Sequence, residues 1–135
     1  MIWLTRALVA IVLIASGILK AADPAPVLVI SWLGDQPVAR SLIGLIAWVE
    51  ILAGLLLLSE LPLRWSAVPA ALLCLGFVLI TAIRLAVEGT LPDCGCFGVL
   101  SAPLDQWHLA GVAVLAALSC HLWWAGRARP RITPA

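Results

Sequence analysis

The 135-residue chain is 64% hydrophobic and 11% charged, with a net charge of +1 and a mean hydropathy of +1.13. A soluble domain averages about 45–50% apolar and ~25% charged residues, so this composition excludes both a water-soluble globule and a disordered chain. It also excludes a nucleic-acid binder, which needs a basic face for phosphate.

A helix that crosses a bilayer needs about 20 mostly apolar residues, because the hydrocarbon core is ~30 Å thick and each residue rises ~1.5 Å. Four stretches meet this requirement, over residues 2–20, 38–58, 65–87 and 107–125. The first is interrupted only by Thr5, Arg6, Ser16 and Gly17 before it reaches Lys20. A secretory signal is the competing reading of that segment. Lys20, however, stands where a small residue should precede a cleavage after Ala22, which favours a retained span. The second stretch carries Glu50 near its middle, and the third carries Arg84 near its end. The expected fold is therefore all-α: one integral membrane four-helix bundle over residues 1–135, with the lipid bilayer as its surroundings. No internal repeat or low-complexity tract is visible.

Orientation follows from the Lys and Arg residues at the span ends, which favour the cytoplasmic side. With the C-terminus inside, Arg6, Arg64, Arg127, Arg129 and Arg131 face the cytoplasm, and Lys20, Arg40 and Arg84 face out. The acids run the other way, with Asp23, Asp35, Glu88, Asp93 and Asp105 outside and Glu60 inside. Tryptophan prefers the membrane interface. Trp3, Trp65, Trp123 and Trp124 would then line the inner surface, and Trp32 and Trp107 the outer one. Both termini are expected in the cytoplasm, and both long loops outside it.

The second long loop contains Cys94 and Cys96, separated only by Gly95. Two cysteines at this spacing can cycle between dithiol and disulfide, bind a soft metal, or form a static staple. A staple is disfavoured, since closing so small a ring restrains little unfolded-chain entropy. A closed zinc site needs about four ligands. Only Asp93 and His108 lie nearby, although Cu(I) is satisfied by fewer ligands. Redox cycling needs only the pair, and Gly95 supplies the backbone freedom a tight ring demands. A strained, exposed disulfide is also more oxidising than a structural one, and the extracytoplasmic side is where disulfides persist.

Around these cysteines, Asp93-Cys94-Gly95-Cys96-Phe97-Gly98 resembles the DCGCFG signature of the methylamine utilisation protein MauE family, which groups with DoxX-like four-helix membrane proteins. Ser16-Gly17-Ile18-Leu19-Lys20 ahead of Asp23-Pro24, Val49-Glu50 followed by Gly54, and Arg84 ten residues before Cys94 match in the same order. The fourth span opens on Trp107-His108, where the family often has a basic residue. This resemblance implies a protein of the bacterial cytoplasmic (inner) membrane with an extracytoplasmic thioredoxin-like partner, MauD in the methylamine system. Its implied role is in maturing disulfide-rich exported proteins such as methylamine dehydrogenase.

Catalysis of such exchange, if the chain is an enzyme, would rest on Cys94 and Cys96. Arg84 and the positive N-terminus of the fourth helix are placed to stabilise a thiolate, and His108 to accept a proton. The plainer readings are an interface anchor for Arg84 and an interfacial hydrogen bonder for His108. Glu50 lies near mid-bilayer, where an ionised carboxylate is costly. With Lys20 assigned to the outer surface beside Asp23, Glu50 is expected protonated, or hydrogen-bonded to Ser16 or water. It then serves either as a packing contact or as a proton carrier or partner for a quinone carbonyl. Quinone is the one cofactor these residues suggest; a quinone-coupled thiol oxidase and a soft-metal carrier are the alternative functions. Cys74 and Cys120 read as small residues at helix contacts, beside Ala67, Ala70, Ala71 and Gly111, Ala113, Ala117, with an electron relay between them as the sharper alternative. The first long loop, with Trp32 between Pro24, Pro26 and Pro37, reads as a surface segment or a lid.

Overall fold

A computed structural model describes residues 2–22, 37–90 and 105–128. They form four α-helices: α1 (Ile2–Ala22), α2 (Pro37–Leu58), α3 (Leu63–Glu88) and α4 (Gln106–Ala128). Each is long and apolar enough to cross a membrane, as the hydropathy pattern predicts. The helices run up to three residues past the expected spans.

Local chemistry sets the helix ends. Asp105 caps α4, its Oδ1 accepting the His108 N–H at 2.8 Å, which satisfies one of the donors a helix start leaves open. At the other boundary of that loop α3 stops at Gly89, whose φ of 74° is a region that favours glycine and whose N–H reaches the Leu85 carbonyl at 3.2 Å. The end of α2 is closed from a different helix. The Arg6 guanidinium of α1 donates to the Leu57 and Ser59 carbonyls, placing a cation on the negative end of the α2 dipole.

The bundle is built from two tight hairpins, α1 on α2 and α3 on α4, joined by smaller α2–α3 and α1–α4 seams. Between helices in lipid there is little hydrophobic drive, so close backbone approach must supply the contact. Gly17 and Gly54 permit it in the first hairpin. A Cβ at Gly17 would lie 2.6 Å from the Ala47 carbonyl oxygen, and one at Gly54 would lie 2.9 Å from that of Ala10. Val9, Leu13, Ala53 and Leu57 of this hairpin share one core with Ala67, Ala70, Cys74, Ala116 and Leu122 of the other. Trp48, Leu52, Leu72, Leu79 and Val114 turn outward, as a lipid-facing surface requires.

Ala67, Ala70 and Ala71 beside Cys74 are buried as expected, but the α4 stripe is corrected. Gly111, Ala113 and Ala117 are exposed, and Ala116, Ser119 and Leu122 make the contact instead. Small size alone does not identify an inward face, because in lipid outward positions are also apolar.

Candidate functional site

Between α1 and α2 lies a buried ion pair that no surface assignment of Lys20 allows. Ser16 and Lys20 are one turn apart on the same face of α1, and Glu50 faces them from α2. The Lys20 Nζ donates to Glu50 Oε1 at 2.7 Å, to Oε2 at 2.9 Å, and to Ser16 Oγ at 2.7 Å. Ser16 in turn hydrogen-bonds Glu50, as expected. The Lys20 and Glu50 side chains are 3% and 0% exposed. Phe77 of α3 closes the site, its ring centroid 5.1 Å from the ammonium.

Two expectations are therefore corrected. Lys20 does not reach for the outer interface, and Glu50 does have a cation within reach. The reason is geometric. Side chains on a helix lean toward its N-terminus. Because α1 and α2 are antiparallel, Lys20 leans inward from above and Glu50 leans outward from below, closing the gap in depth between their Cα atoms. That direction was available from sequence once the two spans were taken as a hairpin. The proposed ion-pair partner of Lys20, Asp23, lies outside the described residues, as does the first long loop.

Chemically, the cluster is a neutral unit in which the carboxylate acts only as an acceptor. A quinone carbonyl needs a donor, and the cavity bordering Lys20 and Phe77 is about 40 Å³. Small-molecule sites typically run from ~300 Å³ upward. The quinone reading thus draws no support from Glu50.

Arg84 is buried, 5% exposed, on the last turns of α3. His108 is half-buried on the first turn of α4. Ser119 Oγ lies 3.6 Å from Cys74 Sγ, fixing the antiparallel register of α3 and α4. Ten residues up α3 and eleven down α4, that register brings Arg84 and His108 to one level, at the end from which the chain leaves for Cys94. Cys74 and Cys120 are both free thiols; Cys74 is fully buried against Ser119, whose hydroxyl donates to the Leu115 carbonyl at 2.8 Å. Asp93, Cys94, Gly95 and Cys96 lie outside the described residues.

Four apolar antiparallel helices with ionisable groups held inside define a small multi-pass membrane protein of the four-helix class. Compared with known families, residues 1–125 match the model of the methylamine utilisation protein MauE. The chain belongs to that family, and is by that membership linked to methylamine utilisation. No match was found among curated proteins or solved structures.

Proposed function

We propose that the protein is a membrane thiol–disulfide redox protein whose Cys94 and Cys96 exchange disulfides with an extracytoplasmic thioredoxin-like protein, MauD-like in kind. The observation that carries this reading is the Cys94-Gly95-Cys96 spacing in the segment between α3 and α4. Family membership supports it, and so does the tethering of that segment at one end of the bundle, by Gly89 on one side and the Asp105 cap on the other. Both termini are cytoplasmic in this reading, and the cysteines face the far side of the bacterial inner membrane.

Exchange passes through a mixed disulfide. One thiolate attacks the partner's disulfide, one partner sulfur leaves as thiolate, and the second cysteine then displaces the other. One bond forms for each that breaks, and two electrons move from this pair to the partner; the reverse sequence returns them. Arg84 and the N-terminus of α4 favour the thiolate by charge, and His108 accepts its proton. The buried Lys20–Glu50 unit holds the first hairpin rather than reacting.

Trapping tests the reading. A Cys94→Ser or Cys96→Ser protein, expressed with its natural partners, should accumulate a mixed disulfide identifiable by mass, since the resolving sulfur is gone. Absence of such an adduct in both variants overturns the proposal.

A further inference from the structure

At the end of the bundle opposite the cysteine segment lies a cleft of about 340 Å³, lined by Arg6, Arg64 and Arg127 together with Trp3 and Gly126. We propose that this cleft binds a phosphate-bearing anion at the level of the lipid headgroups.

The charges in the cleft are unbalanced. No Asp or Glu lines it among the described residues, and Glu60, in the nearby α2–α3 turn, is exposed and is not part of the lining. The ion pair found among those residues, Lys20–Glu50, lies deeper in the bundle. Three guanidinium groups in one cleft repel each other, and an anion between them removes that repulsion.

Each arginine is also held in orientation by an indole. Arg6 lies 5.0 Å from the Trp3 centroid, Arg64 5.2 Å from that of Trp65, and Arg127 4.0 Å from that of Trp123. Stacking a guanidinium by its face leaves its N–H edge for acceptors in the plane, the arrangement that suits phosphate oxygens. Arg6 commits two of its five donors to the end of α2, which anchors it without exhausting it.

The backbone adds to this field. The start of α3, at Leu63 and Arg64, opens into the same cleft. Pro62 at its N-cap offers no side-chain hydrogen bond and its first turn holds no acid, so neither offsets the positive end of this 26-residue helix. Gly126 makes this approach possible, because a Cβ there would lie 2.5 Å from the Arg64 nitrogen.

Depth points to the source of the phosphate. Trp3, Trp65 and Trp124 are 72%, 65% and 68% exposed at this end of the bundle. Exposed tryptophans gathered near helix ends, unlike Trp48 in the middle of α2, mark the headgroup layer, where basic pockets between helices meet anionic phospholipids.

The test uses the full-length protein in neutral detergent, titrated with phosphatidylglycerol, phosphatidylcholine or inorganic phosphate, reading its thermal unfolding midpoint and lipid adducts by native mass spectrometry. Phosphatidylglycerol should raise the midpoint and remain bound where phosphatidylcholine does not. If inorganic phosphate neither protects nor competes, the site takes a lipid headgroup; if it does both, the site takes free phosphate. An Arg64→Gln/Arg127→Gln protein, which leaves the Arg6 cap intact, should lose affinity for the anion on the order of thirty-fold. Its unfolding midpoint in phosphatidylcholine reports whether it is folded. Equal response of the wild-type protein to both lipids, with no effect of phosphate, overturns the proposal, as does a folded double variant that keeps its full preference for phosphatidylglycerol.

Discussion

A carboxylate in the middle of a span demands a partner, and Glu50 finds it in Lys20 and Ser16. An ion pair removed from water gains little net stability, but stripping it of one member strands a charge at a cost of about 3–5 kcal/mol. Glu50→Gln should therefore lower the stability of the purified protein by that order, measured by denaturant titration in detergent. Replacing both members, as in Lys20→Met/Glu50→Leu, should recover most of the loss. A double variant as unstable as Glu50→Gln alone would mean that the pair does not act as a unit. If that double variant still cycles Cys94 and Cys96, the pair is a packing device and not a proton carrier. The need for an interior partner at Glu50 was legible in the sequence, and so was Ser16. Lys20 was not, because the lean of its side chain toward Glu50 follows only once α1 and α2 are taken as a hairpin, and the apolar run by itself gives no more than the depth of the backbone.

At the scale of the helix, the existence and extent of all four spans could be read from hydropathy, since lipid tolerates only long apolar helices with their backbone groups satisfied internally. Which face of each helix turns inward was less accessible. In water, polarity marks the outer face; in lipid, both faces are apolar and the difference lies in size and close approach. Gly17 and Gly54 carry that information, yet they resemble Gly76 and Gly111, which have nothing within 4 Å of an added Cβ. Substitution separates the two kinds. Gly17→Ala or Gly54→Ala should force α1 from α2 and destabilise by about 1–3 kcal/mol, the usual penalty of overpacking. Gly76→Ala or Gly111→Ala should be neutral or stabilise by up to ~1 kcal/mol, because helical glycine carries an entropic cost. Thermal unfolding of the four variants side by side would show this division, and a uniform effect would contradict it.

Viewed as a whole, the molecule has a different character at each end. One end gathers Arg6, Arg64 and Arg127 with their tryptophans, while Arg84 and His108 occupy the other, next to the segment bearing the cysteines. The sequence displayed the polarity of this arrangement, since the arginines and tryptophans cluster at alternate span ends. It did not display the pairing of the helices into two hairpins, nor the use of Arg6 to close α2, because both depend on side chains that cross between elements. That use of Arg6, with the Lys20–Glu50 bridge, bears on biogenesis. Alone, α1 would leave the translocon with two uncompensated cations, and α2 with one anion in its apolar stretch beyond Arg40, each opposing partition into lipid by up to about 2.5–3.5 kcal/mol. Together they bring their own neutralisation. Co-translational release should accordingly wait for both segments: a reporter fused after residue 62 should show α1 integrated more efficiently than one fused after residue 36, and Glu50→Leu should erase part of that advantage.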